Sequence, residues 1–128
     1  MRPHNTGHWT QDGSVTSQFE QHLRAILNLP LGATDLLGPV VVMKNFLGGA
    51  NQNLFSAYPA ALASEPAAKV HCYGKAVRPG RKIGHVNLVG DSAADVVSVR
   101  QRAGTVANII RDGRAQAAAG PATSEENA

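Results

Sequence analysis

A chain of 128 residues gives room for about one domain, which excludes two independent cores. With 43% hydrophobic, 16% charged and 5% aromatic residues it has the composition of a globular chain, and 13 Gly with 7 Pro make it turn-rich. The formal net charge of +3 is too small to define a partner, so the distribution of charge matters more than its sum.

Apolar runs such as Val40-Val41-Val42-Met43 fall far short of the roughly 18 residues that cross a bilayer. Arg2-Pro3-His4-Asn5 carries no apolar signal-peptide core, so a cytoplasmic setting without membrane contact is expected. Cys72 is the single cysteine and can neither close an internal disulfide nor anchor a four-ligand zinc site; stability must come from packing.

In chain order, the first fifteen residues have no helical or strand period and read as an ordered loop or irregular strand. Ser17-Gln18-Phe19-Glu20 fits a capping box, and Phe19, Leu23, Ile26 and Leu27 follow at i, i+4, i+7 and i+8, which predicts a helix with one buried face. Asn28-Leu29-Pro30 ends it, since the proline ring disfavours helical geometry at the residue before it. Leu31 to Pro39 is a connection, and Val40 to Leu47 reads as a strand that stops at Gly48-Gly49.

Asn51 to Ala63 is expected to hold a short helix. Val70 to Gly74 and Ile83 to Leu88 read as the strands of a β-hairpin joined through Arg78-Pro79-Gly80-Arg81. Ser92 offers a second helix cap, after which Val96, Val99, Ala103, Val106 and Ile110 recur at helical spacing up to Asp112-Gly113. Gly104 inside that pattern costs about 1 kcal/mol relative to Ala. From Arg114 the chain turns to Ala, Gly, Pro and Glu, and residues 114–128 are expected to be a disordered tail. The sum is an α+β unit, two amphipathic helices on a small, mainly antiparallel sheet.

Two clusters carry chemistry. Between Lys69 and Lys82 there are five basic residues and no acidic one. Lys75, Arg78, Arg81 and Lys82 surround a Pro-Gly turn, where several cations can converge on a phosphate ester rather than spread along a groove. With only Tyr73 nearby to stack, a polynucleotide is not the expected partner, and an unliganded basic hairpin is the plain alternative. The second cluster is Arg2-Pro3-His4-Asn5-Thr6-Gly7-His8-Trp9-Thr10, which offers a cation, titratable donors and an amide to a small planar anion, or else simply caps its neighbours. His4 and His8 are four apart, but a catalytic zinc wants a third ligand and the other candidates are scattered, so no metal site is expected. His85 in Gly84-His85-Val86-Asn87 and Cys72 both read as packed strand residues.

Taken in order, the Arg2–Thr10 block, Thr16-Ser17-Gln18-Phe19-Glu20-Gln21-His22-Leu23-Arg24-Ala25, Tyr73-Gly74-Lys75 and the Arg78–Asn87 block closely resemble the C-terminal part of 5-(carboxyamino)imidazole ribonucleotide synthase. This is the ATP-grasp ATPase subunit of phosphoribosylaminoimidazole carboxylase in purine biosynthesis, and the resemblance covers roughly residues 2–112. It implies that residues 1–30 are the end of the ATP-grasp core and residues 31–113 the small C-terminal domain with the basic hairpin.

The reaction so implied uses ATP to convert bicarbonate to carboxyphosphate, which carboxylates the exocyclic amine of aminoimidazole ribonucleotide. By the same resemblance, Arg2, His4 and Asn5 hold bicarbonate, Lys75 and Arg81 hold the ribonucleotide phosphate, and Arg78 and Lys82 give electrostatic support. ATP and Mg²⁺ are implied for the complete enzyme, which the resemblance makes a homodimer. In the family an Asn-Glu pair and Ala-Pro precede Arg-Pro-His-Asn, the Glu binding Mg²⁺; here Met1 stands directly before Arg2, and Thr6 replaces the usual Ser. The expectation is a chain without its own ATP or metal site, inactive alone and completed by an ATP-grasp region in cis or in trans. A stand-alone phosphate-binding or interaction module is the rival reading.

Overall fold

The computed structural model describes residues 2–114. Its centre is a three-stranded antiparallel sheet in the order β1-β3-β2, formed by β1 (Val40–Leu47), β2 (Lys69–Cys72) and β3 (Lys82–Gly90). The α+β architecture expected from the sequence is the one found, and the β2–β3 hairpin forms as an antiparallel pair from Lys69↔Asn87 to Cys72↔Gly84. β1 keeps its expected limits, whereas β2 stops at Cys72, two residues before Gly74, where the backbone turns to φ 65.

Alternation along β3 sends Val86 and Leu88 to one face and His85 and Asn87 to the other. Register slips between Phe46↔Gly84 and Leu47↔Lys82, so Ile83 has no partner on β1 and packs in the same cluster as Phe46 and Val86. That apolar face is covered by α4 (Val96–Asp112), which buries Val99, Ala103, Val106, Ala107, Ile109 and Ile110. A shorter helix, α3 (Tyr58–Ser64), follows a 3₁₀ turn at Leu54–Ala57 and adds Ala61 to the same cluster. Gly113, with φ 79, ends α4 in the left-handed conformation.

The opposite face of the sheet is polar and lies under the N-terminal segment. Here the structure corrects the loop expected for the first fifteen residues: Asn5–Gly7 is a 3₁₀ turn and Thr10–Gly13 a single helical turn, α1. Side chains fold these turns, not hydrophobic period: His4 Nδ1 accepts from the Thr6 amide and the Thr10 hydroxyl donates to Gly7 O at 2.6 Å. Gly13 is needed because α1 sits directly on β1, where any Cβ would overlap the methyl groups of Val41.

α2 (Gln18–Ile26) starts as expected, the Ser17 hydroxyl accepting from the Glu20 amide at 3.2 Å. Glu20 does not complete the capping box; its carboxylate pairs with Arg24 one turn on, at 2.6 Å. Phe19, Leu23, Ile26 and Leu27 form one stripe, but the buried face expected for them is exposed, with Ile26 at 63% and Leu27 at 64%. Both faces of the sheet are already occupied, so no described element is left to cover α2. The tail expected to be disordered lies, beyond Arg114, outside the described residues.

Candidate anion site on the polar face of the sheet

Helix α2 begins where it can hold the N-terminal segment. The Gln18 side chain accepts from the His4 amide at 2.9 Å and donates to His4 O at 2.8 Å, while its own amide donates to Thr10 Oγ1 at 2.9 Å. This double amide clamp fixes the chain between His4 and His8. The His8 ring then stacks on His85, centroids 5.0 Å apart, and His85 stacks on His71 at 4.6 Å. Phe19 of α2 closes the outer side of His8 at 5.7 Å.

Hydrogen bonds lock this column of imidazoles. Tyr73 Oη lies 3.1 Å from His8 Nδ1 and 2.7 Å from His85 Nδ1. Asp12 reaches down from α1 to His71 Nε2 at 2.6 Å and accepts from Asn87 Nδ2 at 2.8 Å. Asn87 Nδ2 also donates to His8 O at 3.1 Å, so both ends of the N-terminal turn are pinned to β3. Burial, with the positive field of His71 and then His8, brings the His85 pKa down to about 4, against the opposing pull of Asp12. His8 is held below its ordinary value by desolvation first, then by His71, Lys82 and His4. Burial raises the Tyr73 phenol, which is therefore a neutral hydroxyl at physiological pH.

Beside the column lies an open cavity of about 490 Å³, lined by Asn5, His8, Tyr73, Lys75 and Lys82. Lys75 Nζ stands 5.5 Å from the Tyr73 ring centroid. Two cations, an amide and an imidazole thus face one space whose floor is rigid, a setting suited to a compact anion. A second cavity of about 520 Å³ between β1 and α4 includes Val42, Val97, Arg100 and Gly104 but lies away from these groups.

Of the residues singled out in sequence, Asn5, Lys75 and Lys82 come together at the cavity. Arg2 and His4 are exposed on the N-terminal segment, and His4 Nδ1 faces Thr6 Oγ1 at 2.8 Å. Arg78 and Arg81 frame the connecting turn, where the Arg81 amide donates to Arg78 O and Gly80 takes φ 73, as the third residue of a type II turn requires. The Arg81 guanidinium donates to Ala76 O at 3.4 Å, and neither arginine lines the cavity. His4 and His8 turn to different partners, and among the described residues no group of three or more His, Cys, Asp and Glu is placed to hold a metal ion. Cys72 is half-buried, its Sγ 2.8 Å from Tyr58 Oη. The Asp12–His71 pair and the Tyr73 bridge had no sequence signal, because their members lie 59 and 65 residues apart.

Residues 41–98, which hold most of the small antiparallel sheet and the start of the helix that covers its apolar face, match the family model described as the phosphoribosylaminoimidazole carboxylase C-terminal domain. N5-carboxyaminoimidazole ribonucleotide synthase from Mycobacterium tuberculosis is 51% identical over 117 residues, covering 89% of this chain and 27% of that protein. The Corynebacterium ammoniagenes synthase is 59% identical over 93 residues, 71% of this chain and 22% of that one. Among solved structures, the Aquifex aeolicus phosphoribosylaminoimidazole carboxylase ATPase subunit superposes with TM-score 0.70 at 48% identity, covering 82% of this chain and 31% of its own. An Aspergillus clavatus synthase solved with ADP and 5-aminoimidazole ribonucleotide gives 0.68 at 35% identity, over 85% of this chain and 29% of its own. The chain is homologous to the C-terminal portion of N5-carboxyaminoimidazole ribonucleotide synthases and spans about a quarter of their length.

Proposed function

We propose that this chain is the C-terminal part of an ATP-grasp ligase that carboxylates aminoimidazole ribonucleotide with ATP and bicarbonate, and that its cavity takes the 5′-phosphate of the ribonucleotide. The observation that carries this reading is the meeting of Lys75 and Lys82 with Asn5 and His8 around one space. Lys75 and Arg81 are assigned to the phosphate, Lys82 and Arg78 to its field, and Arg2, His4 and Asn5 to bicarbonate. Among the described residues the Arg81 guanidinium makes one hydrogen bond, the 3.4 Å contact to Ala76 O, and from its exposed turn it can swing toward a ligand.

On this reading residues 1–30 complete the ATP-grasp core and residues 31–113 form the small domain. Catalysis then requires the remaining length found in the relatives, in cis or in trans, in a cytoplasmic homodimer. The exposed stripe of α2 supports that requirement, because an apolar helix face of this size ordinarily packs against something. ATP supplies the phosphoryl group that activates bicarbonate, and Mg²⁺ neutralises the phosphates; neither is assigned a ligand in this chain, which is expected to have no synthase activity by itself.

Calorimetric titration of the chain with aminoimidazole ribonucleotide tests the site. Binding weakened roughly tenfold or more by Lys75→Ala and by Arg81→Ala is the expected result. Binding indifferent to both substitutions would remove the phosphate assignment.

A further inference from the structure

The hydrogen-bond inventory of the imidazole column fixes more than its geometry. Tyr73 Oη has one proton and two histidine partners, so it donates to one Nδ1 and must accept from the other. Two arrangements are possible. In one, His8 Nδ1–H donates to Tyr73, Tyr73 donates to His85 Nδ1, and His85 carries its proton on Nε2. In the other every proton is reversed.

The two distances choose between them. Hydroxyl donors make shorter hydrogen bonds than N–H donors. The 2.7 Å contact fits Tyr73 donating to His85 Nδ1, and the 3.1 Å contact fits His8 Nδ1–H donating to Tyr73.

The first arrangement leaves the His8 Nε2 lone pair unused at the cavity, with Nδ1 already committed as a donor. Protonation at Nε2 then requires no rearrangement of Tyr73 or His85. We propose that His8 is the residue through which the cavity takes up a proton from solvent when a phosphate monoester dianion binds, with Tyr73 and His85 fixing the tautomer that makes this possible.

The surrounding charges favour such coupling. His4 faces His8 from the N-terminal segment, His71 from β2, Lys75 from the connection and Lys82 from β3, while α2 offers the Phe19 ring; the Asp12 carboxylate of α1 is engaged by His71 and Asn87. In the free protein desolvation first, then His71, Lys82 and His4, lowers the His8 pKa below its ordinary value. A dianion among them reverses the sign of the local field, and His8 becomes a third cationic ligand beside Lys75 and Lys82. This inference rests on the reading of the cavity as an anion site.

Two measurements test it on the whole chain. Long-range proton–nitrogen correlation spectra of the histidine rings, which need no ligand, are expected to show His8 protonated at Nδ1 and His85 at Nε2; the opposite pair overturns the inference. Calorimetry with ribose 5-phosphate near neutrality, in buffers of different ionisation enthalpy, is expected to show uptake approaching one proton per anion, with the His8 titration moving to higher pH in the ribose 5-phosphate complex. His8→Gln is expected to remove the uptake, and Tyr73→Phe to weaken binding by about 2- to 10-fold while mixing the His8 tautomers. Binding without proton uptake overturns this inference and leaves the anion site standing, whereas no binding at all overturns both.

Discussion

At the end of α3, Glu65 accepts a hydrogen bond from Arg102 Nε at 2.6 Å and a second from the Ala67 amide at 3.3 Å, tying α3 to α4 through a buried carboxylate. The Arg102 bond holds the Glu65 pKa below its ordinary value of 4.5, against a desolvation that pushes it up. Because the folded-state value is depressed, the interaction stabilises the fold above the unfolded pKa and is lost as pH falls through the folded one. Chemical denaturation across the acid range is therefore expected to show stability declining from the ordinary glutamate pKa downward, and Glu65→Gln to flatten that decline. An unchanged acid limb in the variant would mean that the pair contributes nothing to pH sensitivity. The histidine column illustrates the limit of sequence at this scale. His8 and His85 are visible as residues, yet their stacking depends on β3 being central and on Gln18 clamping His4, neither of which has a local signature.

Among the elements, those with a strong period or β-branched run were legible: β1 has its expected limits, the hairpin pairs as read, and α4 buries Val99, Ala103, Val106 and Ile110. Missed were the turns at Asn5–Gly7 and Thr10–Gly13, which are too short to carry a period and are folded by His4, Thr10 and Gln18 side chains. Gly104 gives the test belonging to this scale. It sits within α4, where an added Cβ would meet nothing within 4 Å, so nothing in the packing requires glycine. Gly104→Ala is expected to stabilise the chain by about 1 kcal/mol through lower backbone entropy in the unfolded state. The midpoint of urea unfolding reads this directly. A loss of stability would show that the β1–α4 cavity beside Gly104 is filled in solution.

For the molecule as a whole, periodicity identifies which residues share a face but not what lies over it. Both α4 and α2 carry an apolar stripe; one is sealed against the sheet, the other is open along Leu23, Ile26 and Leu27. Two isoleucines make the contrast measurable. Ile110 is fully buried in the main cluster, so Ile110→Ala removes packed volume and is expected to cost about 3 kcal/mol. Ile26 is mostly exposed, so Ile26→Ala in this chain is expected to change stability by no more than about 0.5 kcal/mol. Association with the rest of a synthase would change that balance, because the same methyl groups would then be buried and their loss would weaken the assembly rather than the chain. Unfolding of each variant at several protein concentrations separates the cases. A cost at Ile26 close to that at Ile110, growing with concentration, would mean that a second copy of this chain already covers α2. A small, concentration-independent cost would place the stripe in solvent, available to the ATP-binding region that the proposed reaction requires.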